Sequence, residues 1–305
     1  MQRFEYALEY ALLLFIRKAL GLLPWRVAVA LGVAAGEVAY RLGIRRRVVF
    51  GNLALAFPDW SRKERRRVAR RTYLNAGRMF VECLLLPTLS AEQMDKLVEG
   101  VDGLGFAEIV GAGRKALVAL TGHMGNWELM GAYFARHGYR FKVFAKPLHN
   151  PHVEAALLEA RRRCGLDVIH ASEGLKPALH HLREGAALVF LADQDARQAG
   201  IAVPFFGVPA STALGPAVFS VLAKVPILPI FAIRVSPTRH RFVVLPAIEP
   251  IAGEKREAAL ERLTRAHVEV LEHMVRRHPE EYFWFHRRWK TPVRKLKSRR
   301  PTRVA

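Results

Sequence analysis

The rhythm of apolar and polar positions changes near Lys115. Ahead of it the chain reads YALEYALLLFIRKALGLLPWRVAVALGVAAGEVAYRLG, apolar but broken by Glu9, Arg17, Lys18, Arg26 and Glu37. A bilayer span takes roughly 20 mostly apolar residues, and the uncharged run 10–16 falls far short. The pattern predicts an interfacial helix, with Leu12, Leu13, Phe15, Ile16 and Leu20 toward lipid and Arg17 and Lys18 at the headgroups. Charges within the apolar part, and no small-residue cleavage pattern, speak against a secretory signal. Further on, Ser61 and Glu64 have capping-box spacing at a helix start. Arg65, Arg66, Arg67, Arg70 and Arg71 give that helix a basic face, either solvated or laid on anionic lipid.

From Lys115 onward, short apolar runs alternate with helical stretches. KALVALTGH, FKVFAK, LDVIHA and AALVFLAD read as buried strands, with helices over 126–137, 151–164 and 175–184 between them. Gly138, Gly165 and Gly185 stand where a helix-terminating glycine belongs, and Asn150 before Pro151 makes an N-cap and first-turn pair. VPILPIFAIRV and HRFVVLPAIE read as two strands joined around Pro237, an antiparallel part of the sheet. An amphipathic helix over 254–277 and a basic tail, RRWKTPVRKLKSRRPTR, follow. The predicted fold is α/β, a mostly parallel mixed sheet covered by helices, with an N-terminal membrane-associating helical segment. Residues 1–45 form that apolar and basic segment, and 46–305 the catalytic domain with its basic tail. No linker or low-complexity run divides them.

Composition narrows the partners. A net charge of +21 over 305 residues accompanies 51% hydrophobic residues, a pairing that disordered basic tails lack. Such a chain suits an anionic partner, whether nucleic acid, lipid or an acidic carrier protein. Nucleic acid is disfavoured, because no basic cluster interleaved with exposed aromatics and no reading motif is present. Cys83 and Cys164 both fall in helical segments. Two reduced thiols are expected, with no disulfide framework, and without CxxC or HExxH no metal site and no cofactor is expected.

Three polar residues fall at strand ends, where open α/β sheets bind ligands. His123 follows ALVAL, Glu128 enters the next helix, and Asp193 ends ALVFLAD. Five helical steps rotate by roughly 140°, so His123 and Glu128 meet only if the histidine is on the loop and the glutamate in the first turn, a bend that Gly122 and Gly125 permit. Glu128 would then accept from one imidazole nitrogen and leave the other as a general base. With no GxSxG, Walker loop or reactive-cysteine motif, that base would deprotonate a substrate hydroxyl directly. A structural His and Glu fit the same spacing, and Asp193 reads equally as a turn cap. Arg161, Arg162 and Arg163 close a helix, either offsetting its dipole or binding phosphate. The segment PFFGVPASTALGP reads as a loop, either core cover or the lining of an acyl groove.

At HMGNWE the chain resembles the bacterial lipid A biosynthesis acyltransferases, the late acyltransferases of lauroyl and myristoyl type. NLALAFPDWS, KPLHNP, the Arg161 helix, FLADQD, PFFG and VPILPIFAIR follow in family order, so the resemblance spans about residues 8–290. It implies a glycerolipid-acyltransferase-like domain on the cytoplasmic face of the bacterial inner membrane, peripheral or N-terminally anchored. It also implies His123 and Glu128 as the catalytic pair and substrate contacts from Arg161, Asp193, Asn126, Arg163, Phe205, Phe206 and Gly207. The implied reaction moves a fatty-acyl chain from acyl carrier protein to a hydroxyl of a Kdo-bearing phosphorylated disaccharide lipid, with backbone amides holding the oxyanion. A sibling activity, acyl-CoA-dependent acylation of phosphatidylinositol mannoside or another membrane glycolipid, shares the fold and the HxxxxE chemistry. Either acceptor is an anionic glycolipid at an anionic membrane surface.

Overall fold

Two apolar runs without a polar break become the centre of the sheet. Leu117–Thr121 (β2) is buried at every position and Ala187–Leu191 (β5) at all but its last, the burial expected of strands covered on both faces. The computed structural model describes residues 2–103, 116–145, 147–170 and 174–292. Lys115, Lys146 and Ala171, the outer residues of three predicted strands, and the tail beyond 292 lie outside them.

The other strands are Val98–Asp102 (β1), Phe141–Ala145 (β3), Asp167–His170 (β4), Ile201–Phe205 (β6), Val208–Thr212 (β7), Ile227–Ser236 (β8) and Arg239–Val244 (β9). The helices are Gln2–Gly21 (α1), Trp25–Arg41 (α2), Arg46–Ala56 (α3), Arg62–Leu85 (α4), Ala91–Asp95 (α5), Trp127–Arg136 (α6), Pro151–Arg163 (α7), Leu175–Arg183 (α8), Gly215–Ala223 (α9) and Arg256–Arg277 (α10). Seven strands form one sheet in the order β1-β9-β8-β2-β5-β3-β4. β8, β2, β5, β3 and β4 run parallel, while β9 is antiparallel to β8 and parallel to β1. The expected mixed, mostly parallel sheet with helical cover is therefore present. The expected caps are present too: Ser61 and Glu64 close a reciprocal capping box on α4, Asn150 caps α7, and Gly138, Gly165 and Gly185 take positive φ.

The strand order places a switch point at β2 and β5. After β2 the chain moves out to β3 and β4, returns to β5 beside β2, and then crosses to β8. Ligand sites in open sheets form outside the carboxyl ends of such strands.

Three segments differ from expectation. PFFGVPAST is the end of a two-stranded hairpin, β6 with β7, turned at Phe206 and Gly207, which both take positive φ. The alternation of apolar residues with prolines hid its period. The predicted basic tail begins inside the core: Arg288 is fully buried, donating to Ser211 O and Thr212 Oγ1, and Trp289 stacks on Phe205. In α1, Leu20 is buried and Ile16 packs beside it against Val81 and Leu85 of α4, so those two face protein, while Leu12 and Phe15 remain exposed. Together with Phe4 and Leu8 they form an apolar stripe on α1.

The helix α2 lies directly on α4. A side chain on Gly32, Gly36 or Gly77 would overlap the facing backbone, the close approach small residues allow where helices associate in lipid. Among the described residues no single helix is long and apolar enough to cross a membrane; α2 with α3 passes that test only as a pair bent by 87°.

Candidate active site

The register of β2 against β5 builds the centre of the site. Thr121 pairs with Leu191, and two residues beyond each stand His123 and Asp193. The Asp193 carboxylate accepts from His123 twice, from the ring Nδ1 at 2.7 Å and from the backbone N–H at 2.9 Å. It is 2% exposed while the imidazole keeps 22%, so the pair offers one edge of the ring to a ligand. Burial alone pushes Asp193 upward; His123 and its hydrogen bonds outweigh it and hold the carboxyl below its ordinary value. An ionised Asp193 fixes the tautomer with the proton on Nδ1 and leaves Nε2 free to accept. Gln194 brings its carboxamide nitrogen to 3.3 Å from Nε2, and Trp127 meets the ring edge-on at 4.8 Å.

Glu128 does not orient the imidazole. It opens α6 and turns to Arg161 of α7, which grips it through Nε at 3.1 Å and Nη2 at 2.5 Å. The expected His–Glu bond fails because β5 supplies a carboxylate in register with His123, whereas the first turn of α6 points Glu128 across the sheet. The Glu128–Arg161 pair stands at a narrow apolar cleft between the sheet and α6, lined by Leu120, Met130, Gly131, Phe141 and Val189 among others. Its volume is about 30 Å³, room for a water or two.

The remaining expected contacts lie elsewhere. Asn126 is fully buried, accepting from Leu129 N to cap α6 and donating to Glu82. Arg163 is exposed and bonds Glu159, as Arg162 does. Phe205 and Phe206 are core, packed with Trp289, Trp284 and Phe57, and Arg276 sits over the Phe206 ring. Gly207 makes the hairpin turn. Of the nine residues singled out, four meet at the rim, as the pairs His123–Asp193 and Glu128–Arg161.

Two supports escaped the sequence reading. Glu82 of α4, 1% exposed, takes a fork from Arg234 of β8 at 2.7 Å on each oxygen and also holds Asn126, at 2.8 Å. The signal was present as one carboxylate inside RMFVECLLL and one guanidinium inside ILPIFAIRV, lone opposite charges in apolar runs. A strap over 279–285 clamps the turn after β2: Gly125 N donates to Glu281 O, and Phe283 N to His123 O at 2.8 Å. The amides of Met124 and Gly125 are thus engaged, the first with Gly122 O. Gly125 takes φ 58°, and a side chain there would fall on Ala232 O, so both conformation and space demand glycine. Among the described residues no group of three or more His, Cys, Asp or Glu side chains is placed to hold a metal ion.

The chain matches the model of the family described as bacterial lipid A biosynthesis acyltransferase over residues 2–291. It is similar to a lipid A biosynthesis palmitoleoyltransferase of Escherichia coli, 27% identical over 88% of this chain and 87% of the relative. A lipid A biosynthesis lauroyltransferase of the same organism is 25% identical over 91% of this chain and 90% of its own. A phosphatidylinositol mannoside acyltransferase of Mycobacterium tuberculosis is 26% identical over 70% of this chain and 67% of the relative.

Proposed function

The chain belongs to the bacterial lipid A biosynthesis acyltransferase family and is an acyltransferase; from that premise we propose that it moves a fatty-acyl chain from acyl carrier protein to a hydroxyl of a lipid A precursor, with His123 as base and Asp193 as its orienter. The observation that supports the reading is the His123–Asp193 pair, with the imidazole 22% exposed and Nε2 met by the Gln194 carboxamide. Nε2 takes the proton of the acceptor hydroxyl, the oxygen attacks the thioester carbonyl, and the resulting imidazolium, stabilised by Asp193, returns the proton to the leaving thiolate. No protein nucleophile and no acyl-enzyme intermediate is needed.

Glu128 and Arg161 serve as a rigid pair at the head of the apolar cleft, holding the thioester end while the acyl chain widens the space under α6. Gln194 is the donor placed beside the base to hold the oxyanion. The fold, in this reading, is a glycerolipid-acyltransferase-like domain over 46–305, and residues 1–45 rest on the cytoplasmic face of the inner membrane. The apolar stripe of α1 and the net charge of +21 support that placement.

The test is transfer from acyl carrier protein to a Kdo-bearing phosphorylated disaccharide lipid by purified protein. His123→Asn retains a donor for the buried Asp193 and removes the base; kcat falls about 10³-fold with the thermal melt retained. Asp193→Asn loses about as much through the wrong tautomer. A folded His123→Asn protein of full activity would overturn the mechanism. Transfer only from acyl-CoA, and only to phosphatidylinositol mannoside, would move the assignment to the sibling activity.

A further inference from the structure

A second, strongly cationic cleft lies away from the His123 rim. Its walls are α2, α4 and the turn between β8 and β9, its volume is about 570 Å³, and Arg26, Arg78 and Arg239 line it with no carboxylate among the lining residues. A space of that size accommodates a small ligand.

Elsewhere Arg161, Arg162, Arg163, Arg262 and Arg276 are each engaged by a glutamate. Among the described residues, the side chains of Arg26 and Arg239 take part in no hydrogen bond or ion pair, as is true of other exposed arginines such as Arg66 and Arg67. Arg78 donates from Nη1 to Asn75 at 2.6 Å, while its buried Nε has no partner. The carboxylate of Glu82 is already forked by Arg234, and that of Glu281 accepts from Asn75. Burial pushes the Arg78 guanidinium below its ordinary value, with Arg234 adding to it and Glu281 and Glu82 opposing it. Three guanidinium groups around one space without a carboxylate, Arg26 and Arg239 exposed and Arg78 half-buried, are matched by the oxygens of a phosphate.

The cleft floor and position narrow the ligand. Val29 and Val33 supply an apolar lining, and on the same helix Val27 and Leu31 are exposed. The turn at Pro237 projects beyond the carboxyl end of the sheet, because β8 continues well past Pro229, the partner of Leu120. The cleft therefore opens on the His123 side of the sheet, beside exposed apolar helices. We propose that it binds a lipid-borne phosphate, the headgroup caught by Arg26, Arg78 and Arg239 and the tail laid along α2. The proposal rests on the reading that this enzyme works on membrane lipids and is independent of the roles given to His123 and Asp193.

The test uses the full chain and two soluble probes, dihexanoylphosphatidylglycerol below its micellar concentration and inorganic phosphate, followed by calorimetry. The expected result is saturable one-site binding of the short-chain lipid, with phosphate competing. Arg26→Gln with Arg239→Gln, both exposed positions, weakens binding about tenfold or more. A charge-matched control, Arg66→Gln with Arg67→Gln on the exposed face of α4, leaves it unchanged. Absence of a saturable site, or equal weakening by the control, overturns the proposal. Two kinetic arms identify the source of the phosphate. A KM that rises in the Arg26/Arg239 variant only for a phosphorylated acceptor assigns the cleft to the acceptor, and a KM unchanged for phosphorylated and dephosphorylated acceptors assigns it to a bilayer lipid. Binding is read without turnover, so failure of the cleft and failure of the catalytic mechanism are separate results.

Discussion

Gln194 holds its carboxamide 3.3 Å from Nε2 of His123, on the edge that an acceptor hydroxyl must reach. In the proposed reaction the acceptor displaces that contact and the freed amide holds the oxyanion. Gln194→Ala is expected to lower kcat about 10²-fold with little change in KM; steady-state kinetics check it, and a change confined to KM would assign Gln194 to binding instead. At this scale the meeting of His123 with a carboxylate was legible, because a polar residue at the end of an apolar strand needs a polar partner. The partner was harder. HxxxxE spacing drew attention to Glu128, five residues away, while the true contact lies seventy residues on. It could have been found by laying ALVALTGH beside ALVFLAD, since the two polar residues fall at the same step beyond their strands. Phe205 and Phe206 misled for a different reason, because aromatic side chains beside a glycine suit a groove and a hairpin core alike.

The turn that carries His123 is held by α4, β8 and the strap over 279–285. α4 sends Glu82 up to Asn126, which caps α6, and β8 neutralises Glu82 through Arg234. Burial raises Glu82, but His240 and Arg234 together bring it down to about 2. Glu82→Ala leaves Arg234 buried without its counterion and costs about 3–5 kcal/mol of stability, measured by urea unfolding. The pH dependence has a definite sign. With the folded value depressed from 4.5, the charge contributes its full stability above about 4.5 and loses it as pH falls toward about 2, a slope the alanine variant lacks. A variant as acid-sensitive as the parent would show that the pair is not what the turn rests on. Six of the seven strands of the large sheet, α7 and the α4 cap were legible from periodicity and capping residues, while β1 and the β6–β7 hairpin were not. The strap over 279–285 was not, because HPEEYFWFHRRW has neither period, and its fixing hydrogen bonds are long-range backbone contacts.

Across the whole molecule, charge and grease are distributed on one plan. α1 exposes Phe4, Leu8, Leu12 and Phe15, while Tyr6 and Glu9 hydrogen-bond His149 and Asn150 just ahead of the Arg161 helix. The N-terminal helix is thus tied to the catalytic rim on one side and apolar on the other. Leu12→Ser with Phe15→Ser removes two large apolar groups from the outer face and is expected to lower partition to anionic vesicles on the order of a hundredfold. Activity on detergent-dispersed substrate should persist. Cosedimentation reads the first quantity, and unchanged partition would show that the stripe does not meet lipid.

The in-register ends of β2 and β5 also govern how this enzyme can vary over evolution. The turn 137–140 between α6 and β3 may lengthen or shorten without moving the His123–Asp193 pair, provided both strands keep their count. A single residue deleted within Ala187–Leu191 would instead turn Asp193 to the opposite face of the pleat. Divergent substrate preferences are therefore open to invention in the crossover loops, whereas the two short strands are closed to insertion and deletion.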